Sequence, residues 1–173
     1  TRRPTATPSS GLMAEYGEHD LFRAEGYISG PLSPTMRGRL AVSTEQGGAW
    51  QRHRDTGESI GDADRLGVRA LLAWDPSDNL SLLLDVHGGV DQSESLGLYL
   101  LSDMYTRLGT GPVLPADRDR TMTGWRMSSR FAASIGRSVN DKPGRDNSSW
   151  GASLNVNWAL DGLNLTSIST YET

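Results

Sequence analysis

From residue 65 to residue 89 the chain reads RLGVRALLAWDPSDNLSLLLDVHGG, and apolar side chains recur at every second position. Leu66, Val68, Ala70, Leu72 and Trp74 form one series, and Leu80, Leu82, Leu84 and Val86 resume it after the polar break DPSDN. Arg65, Arg69, Asp85 and His87 lie on the alternate positions. A period of two predicts strands at 65–74 and 80–89, joined as a hairpin by a five-residue turn at 75–79. A helix over 65–74 is the competing reading, which Gly67, Val68 and the matching second strand weaken.

The same rhythm predicts strands at 11–17, 21–30, 36–45, 149–160 and 163–172. Short turns fall at 17–20, at the proline-bearing PLSPT of 31–35, and at Asp161-Gly162, a two-residue type I′ signal. Residues 46–64 and 90–147 are polar, irregular and long, and read as loops. The expected fold is all-β, an antiparallel up-and-down meander of about seven strands.

Cross-strand partners in a hairpin share a face. Odd-length turns keep the even-numbered residues together, and the Asp161-Gly162 turn flips the parity. The even face then carries Phe22, Ile28, Met36, Leu40, Val42, Leu66 to Trp74, Leu80 to Val86, Trp150, Leu154, Val156 and Trp158, with no charge among them. The odd face carries Arg23, Glu25, Arg37, Arg39, Arg65, Arg69, Asp85 and His87, with Leu71 and Leu83 as apolar exceptions.

A soluble sandwich shows the same alternation. Three features favour a wall that meets lipid. Strands of about 9–11 residues suit a tilted crossing of a bilayer. Trp74 and Trp158 sit on the apolar face beside short turns, where membrane-interface aromatics belong. Short turns at 31–35, 75–79 and 161–162 on one side alternate with long loops on the other, the asymmetry of outer-membrane barrels, with the 17–20 turn an exception on the long-loop side.

Hydrophobic residues make up 36% of the chain, so a core is thin or completed elsewhere. A formal net charge of -4 argues against nucleic acid as a partner. The absence of cysteine excludes disulfides and thiolate metal sites. No apolar run approaches the ~20 residues of a membrane helix. The opening TRRPTATPSS lacks Met and the closing LTSISTYET still reads as strand, which suggests a piece of a longer protein.

Several segments carry a family resemblance. TRRPT at 1–5 resembles the exit from the plug domain of TonB-dependent outer-membrane receptors. AEYGEHDLFRAEGYISGPLSPTMRGRLAV at 14–42 is similar to that family's first barrel hairpins. Residues 48–84 resemble the loop, strands and periplasmic turn that follow, and 150–172 resemble a later hairpin. The resemblance implies that residues 1–10 end the plug and connector, and that 11–173 form the N-terminal part of a transmembrane β-barrel, incomplete at the C-terminus. It implies a larger plugged barrel in the bacterial outer membrane, monomeric at full length, taking up a scarce nutrient, most often a ferric siderophore. Its partners would be outer-membrane lipid, its own plug and remaining strands, and the TonB complex through an N-terminal segment. A seven-stranded piece would not transport alone. The alternative is a soluble all-β ligand-binding domain.

No catalytic set, cofactor site or metal site is expected. GESIG at 57–61 matches the G-x-S-x-G nucleophile elbow, but lacks the flanking strand and helix pattern that makes an esterase. His19, His53 and His87 show no metal spacing. Arg23, Glu25, Arg37, Arg39, Arg69, Asp85 and His87 are expected to face the lumen or the plug. Substrate contacts would fall on the long loops, at Trp50, Arg52, His53 and Arg54 and at Tyr99, Tyr105, Trp125 and Arg126.

Overall fold

A computed structural model describes residues 2–54, 56–105, 112–121 and 128–173. Its principal strands are β1 (Ser9–Tyr16), β2 (Phe22–Pro31), β3 (Met36–Gly47), β6 (Ala63–Ser77), β7 (Leu80–Asp91), β10 (Asn147–Leu160) and β11 (Leu163–Glu172). They form one seven-stranded sheet in the order β1-β2-β3-β6-β7-β10-β11, every pairing antiparallel. The chain therefore steps from each strand to its spatial neighbour with no crossover. Shorter pairs interrupt the long loops: β4 (Gln51–Arg52) with β5 (Ser59–Ile60), and β8 (Met104–Tyr105) with β9 (Pro112–Leu114). A single helical turn, α1 (Ser129–Ser134), is capped by the Ser128 hydroxyl, which accepts from Phe131 N–H at 3.2 Å.

The expected hairpins form, with three differences at their turns. The DPSDN break is shorter than it reads: β6 runs through Ser77, and only Asp78 and Asn79 turn. Asp75 N–H bonds the Thr35 carbonyl at 2.9 Å, and the register shifts between Trp74 and Ser77. That shift accommodates Pro76, which has no amide to give the ladder. At Asp161-Gly162 only Gly162 has positive φ, at 74°, so the turn is not type I′, which needs both central residues left-handed. That backbone occurs instead at His19 and Asp20, with φ of 58° and 59° and Leu21 N–H bonded to the Glu18 carbonyl at 3.3 Å.

The His19-Asp20 turn rests on the end of β3. Gly48 N–H bonds the His19 carbonyl at 3.0 Å, and Gly47 has φ of 86° with the Asp20 carbonyl 2.1 Å from where a Cβ would stand. Gly47→Ala should therefore cost about 2 kcal/mol or more, the left-handed penalty plus a backbone clash. Gly57→Ala, at a φ of 73° with nothing within 4 Å, should cost only about 1–2 kcal/mol. Chemical denaturation of the two variants checks the order.

Register keeps the even residues on one face. Met36 pairs with Trp74 and Trp74 with Leu82; Leu72 pairs with Leu84 and Leu84 with Leu154; Trp158 pairs with Leu80 and, after the parity flip, with Leu165. Among the described residues nothing covers this face: Leu40, Val68, Trp74, Leu84, Val86, Leu154 and Trp158 are all exposed. The buried apolar side chains lie elsewhere. Leu71 and Ala73 belong to the polar face. Ala73 and Leu83 line a crevice of about 50 Å³ with Arg3 and buried Pro4, and Thr5 N–H donates to the Ser29 hydroxyl at 2.9 Å. The N-terminal segment thus packs on the turn end of the polar face, beside Leu83, one of its two apolar exceptions. Ile60 and Ala132 are buried within the long-loop region.

Candidate functional site

The polar face is a set of charged rows running across the strands. Nearest the long loops, Arg23 Nε meets Glu45 at 3.0 Å, and Arg65 reaches Glu45 at 3.4 Å and Asp91 at 3.6 Å. Arg145 then meets Asp91 at 3.2 Å. Cations and anions alternate because Arg23 opposes Glu45, Glu45 opposes Arg65 and Arg65 opposes Asp91 in the ladder. Two rows nearer the short turns, Arg69 lies 3.4 Å from Asp85, Asp85 lies 3.2 Å from His87 Nδ1, and His87 Nε2 lies 3.3 Å from Glu172. At the turn end Arg37 pairs with Asp75.

The structure therefore places Arg23, Arg37, Arg69, Asp85 and His87 together on one face, each with an ionic partner. Arg39 lies there as well, but stacks on Tyr27 with its guanidinium carbon 3.8 Å from the ring centroid. Glu25 is exposed and has no ion pair among the described residues. A groove of about 620 Å³ lies on this face, lined in part by Glu25, Tyr27, Arg39, Ser43, Gly67 and His87. The acids Glu45, Asp75, Asp91 and Glu172 were missed from the sequence. Their partners lie on neighbouring strands, so only the register reveals them. These pairs are partly exposed, so each contributes at most about 1 kcal/mol. Glu45→Gln, which removes two of them, should lower stability by less than about 2 kcal/mol, read from a denaturation midpoint.

The long loops close on one another. Arg52 N–H bonds the Asp119 carbonyl at 2.7 Å, Thr121 N–H bonds the Arg52 carbonyl at 2.9 Å, and Ser95 N–H bonds the Pro143 carbonyl at 2.8 Å. Lys142 Nζ lies 3.0 Å from Glu94 and donates to the Ser59 carbonyl at 3.0 Å. Gln51, Ile60, His53, Ser93 and Thr121 are buried in this unit.

Of the loop residues expected to meet a substrate, His53 is buried, and its Nδ1 accepts from Thr56 N–H at 3.0 Å. Arg54 donates from Nε to the Thr121 carbonyl at 2.9 Å. Arg54 thus ties its loop to the segment around Thr121, while the His53 bond to Thr56 lies within its own loop. Arg52 is exposed and Trp50 half-buried. Tyr99 and Tyr105 are exposed, Tyr105 donating to Asp103 at 3.3 Å. Trp125 and Arg126 lie outside the described residues. Ser59 of GESIG sits in the β4–β5 hairpin and is followed by β6, so no nucleophile elbow forms. Among the described residues no cluster of His, Asp and Glu converges as a metal site.

No family model matches the chain, and no curated protein matches it. Geometry and sequence pattern alone carry the functional reading. Trp74 and Trp158 are where the pattern put them, on the apolar face two rows or fewer from the short turns. A second aromatic group, not foreseen, lies at the opposite end of that face. Trp150 packs on Tyr171 with centroids 5.2 Å apart, and Tyr16 opposes Phe22. The signal for it was available, since Trp150 shares even parity with Trp158 and Tyr171 falls on the same face after the flip.

Proposed function

We propose that this chain forms part of the wall of a transmembrane β-barrel in a bacterial outer membrane, belonging to a TonB-dependent receptor that imports a scarce nutrient such as a ferric siderophore. The observation that carries the reading is the uncovered apolar face, free of charge and flanked at both ends by aromatic side chains. Trp150 and Trp158 are separated by about 26 Å of strand at ~3.3 Å per residue, or roughly 20 Å along a membrane normal at the usual tilt. An apolar band of that height approaches the ~25 Å of an outer membrane.

The polar face then meets water and the protein that fills the barrel. Its ion-paired rows suit a wet wall better than a cationic funnel, because Arg23, Arg37, Arg65 and Arg69 are already matched by acids. The free edges of β1 and β11 require further strands, since hydrocarbon leaves an unpaired backbone unsatisfied. The interlocked loops present Arg52, Tyr99 and Tyr105 at the rim, where cargo would first be met.

Two measurements test the proposal. Expression of the full reading frame should place the protein in the outer-membrane fraction as a heat-modifiable species. A deletion strain should lose growth on at least one iron source or other scarce nutrient in a panel. Recovery of the intact protein as a soluble species without detergent would overturn the reading in favour of a soluble ligand-binding domain.

A further inference from the structure

We propose that Asp85, His87 and Glu172 form a proton-dependent strap that ties β11 to β7 across the intervening strand β10. His87 Nδ1 lies 3.2 Å from Asp85 Oδ1 on its own strand, and Nε2 lies 3.3 Å from Glu172 Oε2 on β11. The second contact skips a strand. It is possible because Gly151 of β10 stands between them, opposite His87 on one side and Glu172 on the other. A Cβ at Gly151 would lie 2.2 Å from Glu172 Oε2. Gly151 is the single glycine of β10, and the polar-face positions that follow it carry side chains, Ser153, Asn155 and Asn157. The missing side chain opens the passage that the glutamate uses.

The chemistry makes the strap depend on a proton. An ionised carboxylate only accepts hydrogen bonds, and a neutral imidazole offers one N–H and one lone pair. Both contacts are attractive only when both ring nitrogens carry hydrogen. After loss of one proton, a lone pair faces a carboxylate and that contact becomes repulsive. The surroundings supply the remaining charges. From β6, Arg69 opposes His87 in the ladder and pairs with Asp85 at 3.4 Å. From β3, the nearest residue in that row is Ala41, which is uncharged. From β10 come Gly151 and the neutral Ser149 and Ser153. The strap therefore closes on proton uptake and loosens on proton loss. It does not depend on what the apolar face meets.

Amide hydrogen exchange of β11 in the intact protein in detergent micelles tests this. After correction for intrinsic exchange, wild-type protection at 168–172 should fall about two- to five-fold from about pH 5 to about pH 8, the range expected of one partly exposed ionic contact. His87→Gln and Glu172→Gln should remove that dependence. Gly151→Ala, which leaves every charge in place but blocks the crossing, should remove it too. A flat wild-type profile, a pH response that survives in His87→Gln, or a wild-type response in Gly151→Ala would each overturn the strap.

Discussion

Leu154→Arg should abolish outer-membrane assembly of the full protein, whereas Ser153→Arg, one residue away, should leave assembly near wild type. Leu154 lies on the apolar face midway between Trp150 and Trp158 and pairs with Leu84 on β7. If that level is the bilayer midplane, an arginine there costs about 2–4 kcal/mol, while Leu160→Arg beyond Trp158 costs about 0–1 kcal/mol. Ser153 lies on the polar face, between Asp85 and Thr170, where a cation finds an acid. The comparison separates lipid from a covering protein layer. Lipid imposes a cost that fades with distance from the midplane, and a packed second sheet penalises an arginine wherever it is buried. Urea unfolding from lipid vesicles measures all three variants. Equal stability of Leu154→Arg and wild type would remove the main support for the membrane reading.

The strands and their faces were legible because one physical rule governs them. Period-two alternation plus turn-length parity places Leu72, Leu84 and Leu154 side by side, and the register does so. The turns were less legible, since backbone sign depends on packing as well as residue type. Asp161 could adopt a left-handed conformation but does not, while His19 and Asp20 do, against the glycines that end β3. The polar face was readable as a composition but not as a network. Arg65 shows its charge in the sequence, yet its choice of Glu45 and Asp91 needs two registers at once. The loops were the least legible. His53 and Arg54 read as candidates for substrate contact, because no periodicity marks their segment and nothing in it shows their partners. They are held by partners a few residues away and across the fold, at Thr56 and Thr121. Leu83 broke the face rule for a local reason, the N-terminal segment that packs beside it and Ala73 at the turn end.

Gln51→Ala should loosen the whole loop unit while leaving the seven-stranded sheet intact. Gln51 is 0% exposed, donates to the Gly97 carbonyl at 3.0 Å and accepts the Gly97 N–H at 2.7 Å. One side chain thus satisfies both backbone groups of a residue 46 positions away, in a place that Thr121 and Gln51 itself keep crowded. A Cβ on Gly97 would lie 2.7 Å from Thr121 Cγ2. Truncation leaves the half-buried Gly97 N–H and carbonyl without that partner, at about 0.5–1.5 kcal/mol for each lost bond, plus the packing lost at a fully buried position. That total, about 1–3 kcal/mol before packing, is large against the reserve of a loop region, so local opening should become populated. Limited proteolysis should then cut within 48–62 and 92–146 many times faster, with the unfolding midpoint of the sheet unchanged. Gln51→Glu is the sharper variant, because it keeps the shape and the acceptor but turns a carboxylate oxygen toward the Gly97 carbonyl. It should open the loops at least as much as alanine does. Cleavage rates equal to wild type in both variants would mean that the backbone ladder from Arg52 to Asp119 and Thr121 holds the unit by itself.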